Sequence, residues 1–135
     1  MKTKLLFFSL VMSVLLFTSC KKDDPAPAPS PDLSGTTWTG PATIGGIAVT
    51  QTYTLNANGT LSGSTVSAGG SFAIAGNWSK TPGSSVVYMY FTIVSVPGNY
   101  SAQGTLNAAN NKIESGTATN SSSATYTYTY TITKS

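Results

Sequence analysis

Tyr126-Thr127-Tyr128-Thr129-Tyr130-Thr131-Ile132-Thr133 alternates aromatic or aliphatic side chains with hydroxyls for eight residues. Successive side chains of a strand leave opposite faces, so Tyr126, Tyr128, Tyr130 and Ile132 share one face and the threonines the other. β-Branched and aromatic residues also suit a pleated, half-buried surface, which makes this stretch a strand and not a helix. The same period recurs upstream. Ile47, Val49, Gln51, Tyr53 and Leu55 alternate with Ala48, Thr50, Thr52 and Thr54. Phe72, Ile74, Gly76 and Trp78 form a third row, and Val87, Met89, Phe91 and Ile93 a fourth. In the fourth, Val86, Tyr88 and Tyr90 make the opposite face apolar as well. Nothing after Cys20 shows a helical repeat.

Turn chemistry divides these rows. Asn56-Ala57-Asn58-Gly59, Gly69-Gly70, Thr81-Pro82-Gly83-Ser84, Pro97-Gly98-Asn99, Ala108-Ala109-Asn110-Asn111 and Asn120-Ser121-Ser122-Ser123 offer the residues that tolerate left-handed backbone or initiate turns. Eight strands fit between them, at 36–40, 46–56, 60–68, 71–79, 85–95, 100–107, 112–119 and 124–133. Short connections favour antiparallel neighbours. The fold class is therefore all-β: a single antiparallel up-and-down barrel of about eight strands, closed because closure removes exposed edges. A two-sheet β-sandwich is the alternative. An outer-membrane barrel is disfavoured, because the outward threonine rows lack a lipid-facing apolar band.

The N-terminal part reads differently. Lys2 and Lys4 precede an apolar run, Leu5–Phe17, of 13 residues, short of the roughly 18–20 that span a bilayer. Small residues then lead to the only cysteine in the chain, as in a helical secretory signal with its cleavage site. Phe17-Thr18-Ser19-Cys20 resembles the lipobox of bacterial lipoproteins. The resemblance implies acyl chains on Cys20, and two or more chains anchor a protein stably to a membrane. Cys20-Lys21-Lys22-Asp23-Asp24 is similar to the surface-export signal of lipoproteins in some Gram-negative bacteria, which implies an outer-membrane location on the cell surface or on the periplasmic face. Pro25-Ala26-Pro27-Ala28-Pro29-Ser30-Pro31 is an extended spacer. At about 3.1 Å per residue, Lys21–Asp32 reaches roughly 35–40 Å. The chain divides into a signal peptide over 1–19, a lipidated cysteine and linker over 20–32, and one β-domain over 33–135.

Three short pieces of that domain resemble small bacterial lipocalin-like (calycin-type) lipoproteins: Leu33-Ser34-Gly35-Thr36-Thr37-Trp38, Asn58-Gly59-Thr60 and Gly76-Asn77-Trp78. The resemblance spans about 100 residues and implies a barrel whose relatives often hold apolar small molecules. Residues for such a ligand would be Trp38, Tyr53, Phe72, Trp78, Met89, Phe91, Tyr126, Tyr128 and Tyr130. Filling of the barrel by these same side chains is the competing reading, since an eight-stranded barrel is just wide enough for either. Tyr88 and Tyr90 lie on the other face of their strand, where they would be either a partner or glycan surface or covered by the chain termini.

Catalytic chemistry is poorly supplied. The chain has no His and no Arg, and past the spacer Glu114 is the only carboxylate. Acid–base catalysis needs a positioned proton carrier, and glycoside hydrolysis needs two flanking acids. Ser79 and Lys80 are adjacent, and neighbouring strand residues face opposite ways. No metal site, cofactor or nucleic-acid footprint is expected. The expected function is non-catalytic: binding of a small hydrophobic ligand by a membrane-anchored barrel, or an interaction module that shows an aromatic or threonine-rich face to an envelope protein or glycan.

Overall fold

A computed structural model describes residues 32–135. The expected helical signal, Cys20 and nearly all of the linker lie outside the described residues. Eight strands form one closed antiparallel barrel in sequence order: β1 (Thr36–Ile44), β2 (Ile47–Leu55), β3 (Thr60–Ser67), β4 (Gly70–Lys80), β5 (Val86–Ile93), β6 (Tyr100–Leu106), β7 (Lys112–Asn120) and β8 (Tyr128–Lys134). This is the up-and-down barrel, not the sandwich. The architecture is compatible with a lipocalin-like fold.

Each strand alternates buried and exposed positions, with the apolar rows turned inward. The inner rows meet in a single core that includes Trp38, Tyr53, Leu55, Leu61, Phe91 and Tyr100. Small barrels need sharply coiled strands, and glycines on the inner rows allow it. At Gly63 a Cβ would overlap the carbonyl of Thr52, and at Gly76 that of Tyr90, so any side chain there would push the adjacent strand away.

Two boundaries and one internal register differ from the alternation. β1 runs to Ile44, past Pro41, where the sequence pattern stops at residue 40. β8 begins at Tyr128 because Ala124–Tyr126 forms a single 3₁₀ turn, capped by the Ser123 hydroxyl accepting from the Thr125 N–H. Asn120 bends the chain into that turn: its Oδ1 accepts from the Ser122 and Ser123 N–H groups at 2.8 and 3.1 Å, and its Nδ2 donates to the Pro97 carbonyl at 3.0 Å. β7 carries an irregularity between Ile113 and Gly116, with Ser115 at φ +51. The inward parity therefore changes from Ile113 to Gly116, Ala118 and Asn120.

The barrel closes through β1 and β8, paired at Trp38↔Lys134 and Thr39↔Thr133. The Ser135 N–H donates to the Thr37 carbonyl at 2.9 Å, so the odd-numbered backbone groups of β1 face β8. Pro41 is the next odd residue after Thr39 and has no N–H to give. Pairing stops there, and the proline is tolerated because its missing donor faces the seam.

The two ends of the barrel are unlike. Chain direction places the start of β1, the end of β4, the start of β7 and the end of β8 at one end. Asp32, Lys80, Lys112, Glu114 and Lys134 all lie there, and they are the only Asp, Glu and Lys residues among those described. Leu33 is buried just ahead of β1 at the same end. Ile47, Val66 and Val94, three of the large apolar side chains left exposed, stand toward the opposite rim.

Candidate functional site

Six of the nine residues expected to line a ligand cavity, Trp38, Tyr53, Met89, Phe91, Tyr128 and Tyr130, are buried inside the barrel. They touch one another. Phe91 stacks on Tyr100 with ring centroids 5.1 Å apart, and Tyr53 meets Phe91 edge-on at 5.5 Å. Tyr100 meets Tyr128 at 5.7 Å, Tyr128 meets Tyr130 at 6.2 Å, and Tyr130 returns to Tyr53 at 6.5 Å. Five rings thus close a circuit across the lumen. Phe72 and Trp78 are half-buried against the core, and the Trp78 indole donates to the Asn56 carbonyl at 2.9 Å. Trp38 Nε1 donates to the Thr36 hydroxyl at 2.7 Å. Tyr126 is also half-buried against the core, but from the 3₁₀ turn and not from the inner row of β8. Alternation alone places it in one strand row with Tyr128 and Tyr130, and the Asn120 turn takes it out of that row.

A polar triad lies among these rings. Tyr53 O–H donates to Gln51 Oε1 at 2.7 Å, and Gln51 Nε2 donates to the Tyr128 oxygen at 2.8 Å. The two phenol oxygens are 3.1 Å apart. Because the Tyr53 proton is already used, Tyr128 donates to Tyr53, and each of the three side chains gives one bond and takes one. Gln51 is 0 % exposed, and Thr65 adds a longer contact to its Nε2 at 3.4 Å. Burial raises the Tyr53 phenol well above its ordinary value and pushes Tyr128 up to about 12, with the bond donated by Gln51 partly opposing the shift at Tyr128. The Tyr130 phenol is also raised by burial, and no protein group bonds its hydroxyl.

Where Pro41 interrupts the seam, a groove of about 690 Å³ opens between β1 and β8, with Ala42, Val49 and Tyr128 reached from the outside and Thr43, Thr117 and Thr129 along its sides. The sequence gives one clue to it, the proline within an alternating run.

The outer face of β5 is the other candidate. Tyr88 and Tyr90 are 46 % and 53 % exposed among the described residues. The register sets Ser79 and Gln103 on either side of Tyr88, and Asn77 and Ser101 on either side of Tyr90. Thr117 pairs with Gln103 and Thr119 with Ser101 on the next strand. On β1 and β2 the outward threonines bond across the strands, Thr37 to Thr54 and Thr39 to Thr52 at 3.2 Å each. No such bond ties up Asn77, Ser79, Ser101 or Gln103. Two hollows flank Tyr88, one of about 210 Å³ toward β4 and one of about 300 Å³ toward β7, and they share Tyr88, Ser101 and Ala102. The tyrosines were legible in the sequence as a doubly apolar strand. Their polar neighbours were not, because cross-strand register places them there.

Among the described residues no three His, Cys, Asp or Glu side chains gather in one place. Glu114 pairs with Lys112 at 3.1 Å, in an ion pair open to solvent at the charged end. No family model, curated protein or solved structure matches the chain.

Proposed function

We propose that this chain is a lipid-anchored, non-catalytic binding module of a Gram-negative envelope, and that it meets its partner through the outer face of β5. One observation carries the reading: Tyr88 and Tyr90 are exposed side by side on a rigid strand, amid amide and hydroxyl groups with unused bonding capacity. Tyrosine combines a large apolar ring with a polar tip at small entropic cost, which is why it recurs in recognition surfaces. Strand-borne side chains are also held more precisely than loop-borne ones. The lipobox-like Cys20 supports the anchor. The scarcity of proton carriers supports a role without chemistry. The outer membrane is the location favoured by Cys20-Lys21-Lys22-Asp23-Asp24, with the linker holding the barrel off the headgroups.

A small apolar ligand is a second reading, and the seam groove is the observation in its favour. Its volume falls in the range of small-molecule sites, and its floor of Ala42, Val49 and Tyr128 is mostly apolar. It would hold such a ligand at the barrel wall, because the aromatic circuit occupies the centre.

Cross-linked pull-down from intact envelopes separates the two. Tyr88→Ser/Tyr90→Ser is expected to lose the partner while retaining wild-type unfolding behaviour, since both side chains lie outside the core. Equal recovery by wild type and double variant removes the β5 face from consideration. A bound apolar adduct in native mass spectrometry, displaced by Ala42→Trp, would favour the groove instead.

A further inference from the structure

We infer that the β5 face is a binding site for an uncharged polysaccharide, crossed by the glycan from β4 to β7 with Tyr88 at its centre. This rests on the reading of that face as the partner surface and names the chemistry of the partner. Three observations converge on it.

The first is charge. Every Asp, Glu and Lys among the described residues lies at the end of the barrel where β1 begins, and none lines either hollow beside Tyr88. An anionic polymer would bring charges that neither hollow can pair, with Lys80 only at the edge of the face, and desolvating an unpaired charge is costly. A neutral polymer has no such penalty.

The second is the donor and acceptor set. Asn77, Ser79, Ser101, Gln103, Thr117 and Thr119 surround the tyrosines through the β4–β7 register. Amides and hydroxyls each both donate and accept, which matches sugar hydroxyls that do the same. The aromatic faces of Tyr88 and Tyr90 offer apolar area for the C–H face of a pyranose. The two rings are separated by two residues along β5, about 7 Å, so the pair spans the width of a sugar ring lying across the strands.

The third is relief. The two hollows of about 210 and 300 Å³ share Tyr88, Ser101 and Ala102, so they form a continuous ribbed path across the strands and not one deep pocket. A path of that kind suits successive small units of a chain. A protein partner would need roughly 800 Å² of contact per side with an apolar centre. Of the exposed aliphatic side chains, Ile47 and Val66 belong to other strands, and Val94, which continues the outward row of Tyr88 and Tyr90, lies at the far rim and lines neither hollow.

Affinity electrophoresis tests the inference on the full chain, extracted in a sugar-free non-ionic detergent. The gels contain dextran, laminarin, galactomannan, xyloglucan or mannan as neutral probes, and polygalacturonate as the anionic control. The expected result is retardation by at least one neutral polymer, none by polygalacturonate, and a loss of at least tenfold in affinity for both Tyr88→Ser/Tyr90→Ser and Asn77→Ala/Gln103→Ala. The second variant keeps the tyrosines, so it reports on the polar set even where the first perturbs the strand. Retardation unchanged in both variants overturns the site. No retardation by any neutral polymer, with a tyrosine-dependent envelope protein still captured, overturns the glycan and leaves the face standing. Loss of both overturns the face and the glycan together.

Discussion

Removing the Tyr53 hydroxyl is the sharpest probe of what holds the barrel centre. Tyr53→Phe leaves the ring and its contacts with Phe91 and Tyr130 in place. It deprives Gln51 Oε1 of its donor and the Tyr128 proton of its acceptor, inside a site that is fully buried at Gln51 and Tyr53. Each orphaned buried group costs about 1–3 kcal/mol. Two of them set the expected loss at about 2–6 kcal/mol. At about 4–8 °C per kcal/mol for a domain near 100 residues, Tm falls by more than about 8 °C. Replacing all three members, as Gln51→Leu/Tyr53→Phe/Tyr128→Phe, removes donors and acceptors together and leaves shape nearly unchanged. The triple variant is therefore expected to be more stable than Tyr53→Phe alone, although it carries two further substitutions. Tyr130→Phe is the control. No protein bond is lost there, so it stays within about 1 kcal/mol of wild type. Urea unfolding followed by circular dichroism measures all of these. If the triple variant loses the sum of the three single effects, the hydrogen bonds are independent and the cyclic arrangement is refuted.

Other outcomes follow from the same structure. Gly116→Ala would drive a methyl group into the ring of Tyr130, so overpacking should lower stability by about 1–3 kcal/mol, seen as a fall in the urea midpoint. High pH should unfold the barrel. The Tyr128 phenol ionises near 10 in the unfolded chain and at about 12 in the folded one, so its contribution is intact below pH 10 and is lost as pH rises from there toward 12. That shift is worth roughly 2–3 kcal/mol, and Tyr53 and Tyr130 act in the same direction. Phenolate absorbance near 295 nm should rise together with loss of the far-ultraviolet signal; ionisation of the buried rings with the fold intact would contradict it. Cys20→Ser should abolish labelling by radioactive palmitate and release the chain from membranes, and globomycin should block maturation of the wild type. Continued labelling of the serine variant would locate the acyl group elsewhere.

The inner rows were readable because alternation in β2, β4, β5 and β8 is nearly unbroken, and inward parity follows from it. Ile47 keeps the parity of its row yet is exposed, since it lies at the open rim, a position that periodicity does not record. Pro41 hid the second half of β1: a proline is permitted only where its missing donor faces a gap, and the gap exists only once β8 has closed the barrel. Tyr126 continues the Tyr-Thr pattern, but the Asn120 side chain bends the backbone out of strand before it. The Glu114-Ser115 irregularity leaves a trace in the sequence, because apolar positions switch from odd to even between Ile113 and Ala118. Tyr100 was the main omission from the core. It follows Pro97-Gly98-Asn99 and begins a row with Ala102, Gly104 and Leu106 that is too small in side-chain size to attract notice. The site neighbours Asn77, Ser79, Ser101 and Gln103 depend on which residues sit opposite one another, and that is a property of register.

Confinement of charge to one end of the barrel has a kinetic consequence. The flank at Tyr88 and Tyr90 meets that end only at its edge, where Lys80 pairs with Val87, and an uncharged partner is steered little by it over distance. Productive encounters there depend on diffusion and orientation alone, with on-rates near the unsteered 10⁵–10⁶ M⁻¹s⁻¹ typical of proteins. Added salt should then leave the speed of capture unchanged.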